Sequence, residues 1–437
     1  MESPDDKEVV APIKVAALKH FKRLLPLFSR LHDVGCERDT AGNRTLFMDN
    51  YCATVMLYLF NPLLDSIAML QAAVKLPRVA KVLEVKPFSA GSFSESARVF
   101  DPEALKPIIA ELAAELTPLS KDPRLSELKH ALTLVDATIL QGLSRLASAA
   151  CEQTRYCTAK DGRALHGWRV HMQLDLELFS PHKTEVTGAR KKGPNSEINV
   201  LRRSLEPNRC YVDDGGYGDR TLFDDIVNIG SSYVTRMRED TVFTVIEERL
   251  LSQEALDANV VRDAIVRLGD AKTPDMNHAV RFIEIQVEPH PRRTRKVQEG
   301  SNKSTRYTDR LAIATNLVDL PVELVALIYR YRYSVELFFR FFKQLLGMRH
   351  LLSQREEGVK IQVYCCVIAC LLISLQTGRK PNKLMVRMIG LYLMGVADEQ
   401  DVINYLNKPD NRGKKLKAKE ELLKKTRFLA AAIPNRG

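Results

Sequence analysis

The 437-residue sequence predicts a mixed α/β (α+β) fold, helical at both ends and strand-rich between. Three observations predict it. Apolar residues recur at three- and four-residue spacing before about Val85 and again from Tyr329 onward. From about Lys129 short alternating segments replace them, and two helical patches, SEINVLRRSL and RTLFDDIVNIG, interrupt those segments.

The opening region, 1–128, is expected to be helical. KVAALKHFKRLLPLFSRL and YCATVMLYLFNPLLDSIAMLQAA carry the helical period from Ile13 to about Val85. In KPFSAGSFSESARVFDPEALKPIIAELAAEL, Ser92 and Glu95 have capping-box spacing, and Asp101-Pro102 marks another helix start. Short helices between Gly, Ser and Pro turns suit a helix-turn-helix DNA reader and a plain bundle alike, because no recognition-helix residues stand out.

Residues 129–238 read as the first part of a core. HALTLVDATIL is a buried strand with Asp136 at its end and Thr138 two residues on. After a helical patch from Leu143 to Cys151, GRALHGWRVHMQLDLELF and HKTEVTGARKK alternate as the second and third strands. SEINVLRRSL is then a helix, NRCYVDDGGYGD a short strand ending in Asp213-Asp214, RTLFDDIVNIG a helix, and SSYVTRMRE a fifth strand. Three strands, helix, strand, helix, strand is the element order of an RNase H-like fold, which sets the ends of strands one and four side by side. Asp136 would then face either Asp213 or Asp214, since alternation sends those two to opposite faces. Asp175 and Glu177, on the second strand, are rival carboxylates of lower rank.

Residues 239–318 are expected to be a mostly β insertion before the last core helix. They comprise TVFTVIEERLL, a helical piece around Val260 to Leu268, HAVRFIEIQVEP and RYTDRLAIATNL. Within them PHPRRTRKVQEGSNKSTRY is a polar, breaker-rich loop bearing Arg292, Arg293, Arg295, Lys296, Lys303 and Arg306. Such a run is either a solvated surface or a track that neutralises a nucleic-acid backbone.

Residues 319–350 centre on the helix YRYRYSVELFFRFFK. At 100° per residue Tyr329, Arg332, Glu336 and Lys343 fall in a stripe roughly 60° wide, with Arg340 beside it. Val335, Leu337, Phe338, Phe339, Phe341, Phe342, Leu345 and Leu346 occupy the remaining circumference, so the helix should be buried on most sides. A charged stripe on a packed helix must turn to a cleft, a ligand or partner charges. An internal Glu-Arg-Lys ion-pair ladder satisfies that requirement as well as a ligand does. The last region, 351–437, continues with apolar helices in VYCCVIACLLISLQ and KLMVRMIGLYLMGV and ends in a basic tail from Lys408 to Phe428.

Net charge is +11 and pI about 9.2, which favours a polyanionic partner such as nucleic acid. The eight cysteines form no C-x2-C pairs, and Cys365, Cys366 and Cys370 lie in an apolar helical run, as reduced thiols of a cytosolic protein would. The acidic start MESPDDKEVV has no apolar secretory core, and neither Thr54 to Leu70 nor Val363 to Ser374 reads as a membrane span, so a soluble, cytoplasmic protein is expected.

The Y-x2-R-x3-E-x6-K spacing of Tyr329, Arg332, Glu336 and Lys343 resembles the Y-R-E-K signature of the insertion-sequence-four family of bacterial DDE transposases. Asp136 with Thr138 resembles its D-x-T context, and Asp214-Gly215-Gly216-Tyr217 its D-x-G-Y turn, although Gly215 stands where a basic residue is usual. The resemblance extends from about Lys14 to Leu406. It implies an RNase H-like catalytic domain in which Asp136, Asp214 and Glu336 are the catalytic carboxylates, and it selects Asp214 over Asp213. It further implies that Tyr329 and Arg332 contact phosphates at the element's end, that Lys343 positions the DNA terminus, and that the N-terminal helices help to bind that end. The chemistry implied is cut-and-paste transposition through a hairpin intermediate, in the bacterial cytoplasm close to the nucleoid.

Cutting a phosphodiester needs an activated nucleophile, a stabilised leaving oxygen and neutralised phosphate charge, and two divalent cations meet all three needs. Carboxylates converging from separate elements hold Mg²⁺, with Mn²⁺ able to substitute, so Asp136, Asp214 and Glu336 are the expected metal ligands. Arg332 can fork onto phosphate oxygens, Lys343 can act as a point charge near the cleaved strand, and Arg340 beside the stripe is a further candidate DNA contact. The expected partner is double-stranded DNA, both element ends and target, held by a homodimer; neither a membrane nor a small-molecule substrate is expected. An RNase H-like nuclease without strand transfer would share the carboxylates but have no use for the stripe. A catalytically silent descendant would be expected to lack one of the three carboxylates. A helical scaffold with a buried ion-pair ladder would not bind DNA.

Overall fold

The computed structural model describes residues 23–61, 64–119, 122–141, 167–188, 193–238, 240–270, 272–287, 310–345, 351–353, 355–393 and 396–407. The helical patch at 143–151, the basic loop with Arg292, Arg293, Arg295 and Lys296, and the basic tail lie outside the described residues.

Ahead of the sheet lie α1 (Leu24–Ser29), α2 (Met48–Phe60), α3 (Ile67–Val74), α4 (Pro77–Leu83), α5 (Ala90–Ser96) and α6 (Lys106–Ala114). Local chemistry starts several of them: Ser66 caps α3 by accepting from the Met69 N–H, and Pro77 opens α4 at a position where its missing N–H costs nothing. The cap of α5 is Ser89, which accepts from the Ser92 N–H, so Ser92 lies inside the helix that it was expected to begin. Asp101 does cap the 3₁₀ turn Pro102–Leu105 that leads into α6.

The first half of the sheet comprises β1 (Ala131–Gln141), β2 (Gly167–Asp175), β3 (Ser180–Gly188), β4 (Arg209–Asp213) and β5 (Ser232–Arg236), in the order β3-β2-β1-β4-β5. The first three strands are antiparallel, and β4 and β5 run parallel to β1. The helices α7 (Glu197–Arg203) and α8 (Arg220–Asn228) make the crossovers, which completes the RNase H-like topology. Each is started by a side-chain cap, Ser196 for α7 and Asp219 for α8. The α7–β4 turn is tied to β3 through Glu206, which accepts from Lys183 Nζ (2.8 Å), Arg209 Nε (2.9 Å) and His182 Nε2 (2.6 Å).

The insertion is not a separate layer. After β6 (Phe243–Glu248) and the short helix α9 (Gln253–Asp257) come β7 (Val260–Leu268), β8 (Val280–Gln286) and β9 (Arg310–Thr315), and β9 pairs antiparallel with β5. One nine-stranded sheet results, β3-β2-β1-β4-β5-β9-β8-β7-β6. Val260–Leu268, expected to be helical, is a strand paired on both sides, with β6 and β8. Its branched residues Val260, Ile265 and Val266 suit a pleated surface, and pairing on two edges overrides its weak helical pattern. Asp263 on β7 and Arg281 on β8 form a buried bidentate pair, Nε–Oδ1 2.8 Å and Nη2–Oδ2 2.7 Å. The remaining Arg281 donors reach the carbonyls of Leu317 and Leu320, so the outer strands grip the loop that enters the next helix.

That helix is α10 (Val322–Tyr331), followed by α11 (Tyr333–Leu345), α12 (Glu356–Thr377), α13 (Lys383–Leu393) and α14 (Glu399–Leu406). α12 is long and apolar enough to cross a bilayer, yet it is buried, packed on α2, α6 and β3. The sheet thus has two cores. Leu134, Val170 and Val212 face the core that contains α12; Val135 and Tyr211 face the one under α7 and α8. The six described cysteines are free thiols, and all but Cys36 are buried.

Candidate active site

β1 pairs with β2 along its length but with β4 only from Ala131 to Leu134. Beyond Leu134 the two parallel strands part, and Asp136 stands at the opening. It is a mid-strand residue rather than the strand end expected, because antiparallel pairing carries β1 on to Gln141. Two residues from Leu134, Asp136 shares the face on which α11 packs.

The same alternation separates the two aspartates after β4. Tyr211 and Asp213 turn toward the α7–α8 core, whereas Val212 and Asp214 turn toward Asp136. Asp213 is fully buried opposite Thr235, and burial pushes its carboxyl well above the usual range. Asp214 is half-buried and accepts from the Gly216 N–H at 2.8 Å, a turn in which a Cβ on residue 216 would sit 2.9 Å from Asp214 Oδ1. Tyr217, buried beneath this turn, feels Glu197, Asp136, Asp213 and Asp214, and burial raises its hydroxyl far above the ordinary value.

The third carboxylate arrives on α11. The stretch expected as one helix is two, jointed at Arg332, where 3₁₀-type bonds run from the Arg332 N–H to the Tyr329 carbonyl and from the Val335 N–H to the Arg332 carbonyl. Val335, Phe338, Phe339, Phe342 and Leu345 are buried as expected, but Leu337 is exposed. Glu336, 40% exposed, lies one turn from Arg332 and accepts its Nη2 at 2.5 Å. Arg332 also lies over the Tyr329 ring, 5.9 Å from its centroid. Burial pushes the Lys343 ammonium below its ordinary range against the opposing pull of Asp136. Arg340 is exposed and reaches Tyr333 instead. Asp175, a rival carboxylate, is turned to Arg209 at 3.7 Å.

Burial first, then Asp214 and Glu336, carry the Asp136 carboxyl up to about 6, with the Ala137 N–H and Arg332 working against them. Three carboxylates around a half-buried opening therefore carry negative charge that a hard cation would relieve, and their oxygens are the donors such an ion takes. Among the described residues no three His, Cys, Asp or Glu side chains close into a metal cage, and Glu336 is engaged by Arg332.

Residues 127–372, more than half of the chain, match the family model described as Transposase DDE domain. The chain belongs to that family. A Sinorhizobium fredii protein named as the transposase y4zB is 25% identical over 50% of this chain and 55% of its own length. A Geobacillus stearothermophilus protein named as a transposase for insertion sequence element IS5377 is 24% identical over 47% of this chain and 48% of its own. The chain thus spans about half the length of these curated relatives. A Synechocystis protein named as a transposase for element IS4SA is 32% identical over 17% of this chain and 22% of its own. Among solved structures, a piggyBac transposase synaptic complex with hairpin DNA aligns at TM-score 0.41 and 10% identity over 91% of this chain and 83% of that one. At that score the fold assignment rests on the strand order alone.

Sequence reasoning overlooked two cations here. Arg236 ends β5 and Arg238 follows it, both lining an open groove with Asp214, Gly215 and Gly216. Their position was legible, since ligands of open α/β sheets collect outside the carboxyl ends of parallel strands. It also overlooked Glu197, whose Oε2 lies 3.6 Å from where a Gly216 Cβ would sit and which pairs with buried Arg169 at 3.1 Å.

Proposed function

We propose that this protein is a cut-and-paste DNA transposase that cleaves the ends of an insertion sequence and joins them to target DNA. The observation that carries the reading is the grouping of Asp136 and Asp214 at the parting of β1 and β4 with Glu336, Arg332 and Lys343 on the helix packed against β1. Asp136, Asp214 and Glu336 would hold divalent cations, Mg²⁺ by donor type. When bound, a pair of such ions would activate the nucleophile and offset charge on the phosphate.

The chain's own residues do the rest. Arg332 takes phosphate oxygens of the element end, and in leaving Glu336 it frees that carboxylate to face Asp136 and Asp214. Tyr329 hydrogen-bonds the same backbone, and Lys343, drawn toward Asp136, holds the DNA terminus. Arg340 and the basic residues Arg292, Arg293, Arg295 and Lys296 neutralise further phosphates of the duplex. Water attack on phosphorus expels the 3′ oxygen of one strand. The freed 3′ hydroxyl attacks the opposite strand to give a hairpin, a second hydrolysis opens it, and the 3′ hydroxyl then attacks target DNA. Two ends must be joined, so two copies of the protein act together.

Cleavage of a supercoiled plasmid carrying the element's ends, with Mg²⁺ or Mn²⁺ and with chelator, tests this reading. The native protein should release hairpin-ended and then double-strand-cut products only with metal, and Glu336→Ala should bind the ends without cutting them. Equal products from both proteins would overturn the assignment.

A further inference from the structure

Beside Asp214, an open groove of about 590 Å³ is lined by Gly215, Gly216, Arg236, Met237, Arg238 and Asp240 at the end of β5. Its two arginines equal in number its two carboxylates, Asp214 and Asp240, but neither arginine forms an ion pair among the described residues. Arg236 is half-buried and close enough to Tyr329 to pull against the burial that raises its hydroxyl. Arg238 is exposed, and its one hydrogen bond among those described runs from Nε to the Gly215 carbonyl at 3.1 Å, so the terminal nitrogens of its fork have no hydrogen-bond partner among the described residues. Asp240 is the acid on the rim.

Two guanidiniums of fixed stem beside a carboxylate that needs a phosphate within reach form a site for polyanion backbone. We infer that this groove is a second phosphate track, in which Arg236 and Arg238 grip DNA backbone beside Asp214, in addition to the contacts made by Arg332 and Lys343. The inference rests on the DNA-cleaving reading above and extends the substrate contact to residues outside the helix. It also gives Gly215 a meaning. A side chain built on Gly215 would meet only the Arg236 carbonyl at 3.5 Å and Arg238 Cγ at 3.7 Å, ordinary van der Waals distances, and would enter the groove beside the Arg238 stem. The cation in that volume comes from residue 238, anchored to the turn through the Gly215 carbonyl.

The experiment is anisotropy of a labelled duplex carrying one element end with its flanking DNA, titrated with the full chain in metal-free buffer over a series of salt concentrations. Arg238→Ala should lower the slope of log affinity against log salt by about 0.9, the value expected for each phosphate that is no longer neutralised, and Arg236→Ala with Arg238→Ala should lower it by about twice that. Gly215→Arg combined with Arg238→Ala should restore the slope. An unchanged slope in the two Arg→Ala proteins, with native binding still salt-dependent, would overturn the second track and leave the proposed function standing. A lowered slope in Arg238→Ala without restoration by Gly215→Arg would make Arg238 a brace of the turn only, which also overturns it. Absence of salt-dependent binding by the native protein would instead remove the transposase reading itself.

Discussion

Arg332 reaches across one helical turn to Glu336, Nη2 to Oε1 at 2.5 Å, from the joint between α10 and α11. The cation proposed to take phosphate is thus paired with the carboxylate proposed to bind metal. Arg332→Ala should weaken binding of an element-end duplex and reduce cleavage about ten- to a hundredfold, the range that loss of a supporting partner costs a metal site. Arg332→Lys should not restore cleavage, because a point charge cannot fork onto a phosphate. Paired binding and cleavage assays check this, and wild-type cleavage by Arg332→Ala would refute it.

Asp213 and Asp214 are adjacent yet should behave oppositely. Asp214→Asn should abolish cleavage and leave the melting temperature nearly unchanged. Asp213→Asn should retain cleavage and leave stability equal or higher, since a fully buried carboxyl is exchanged for a neutral amide beside Thr235. Thermal unfolding and plasmid cleavage on the two variants separate the roles.

The Asp263–Arg281 pair joins the sheet extension to the entry of α10. Arg281→Ala strands a buried carboxylate and should cost about 3–5 kcal/mol of stability. Replacing both partners, Asp263→Leu with Arg281→Met, should recover most of that loss, as read by denaturant unfolding. Cleavage should remain impaired if the link to Leu317 and Leu320 positions α10.

Glu206 sets an acid limit on the fold. Burial raises its carboxyl, but hydrogen bonds from Lys183 and His182 win and hold it at about 2 against an unfolded value of 4.5. A carboxyl with a depressed folded pKa contributes stability that is present above the unfolded value and is lost as pH falls from about 4.5 to about 2. Glu206→Gln should therefore melt lower than the native protein at neutral pH, with the gap closing across that window. A constant gap would exclude the linkage.

Much of the core was readable because it is local. The period-two runs, the helical patches SEINVLRRSL and RTLFDDIVNIG, and the paired aspartates lie within a few residues of the features they create. Val260–Leu268 was misread because its burial comes from β6 and β8, partners that no window of that length contains. The joint at Arg332 was hidden for a similar reason: the helical period runs through it unbroken, and only the geometry of the chain reveals the 3₁₀ bonds.

The sequence by itself determined the chemistry on offer: a Tyr-Arg-Glu-Lys stripe, an Asp-Gly-Gly-Tyr turn, a basic chain, and the strand order that would bring distant carboxylates near one another. Tertiary structure alone decided that β1 and β4 part just before Asp136, that Val260–Leu268 is a strand paired on both sides, and that the chain is jointed at Arg332. The physical reason is that side-chain period and propensity act over a few residues. Which carboxylate shares a half-buried opening with which cation depends on strand register and helix packing between segments far apart in the chain.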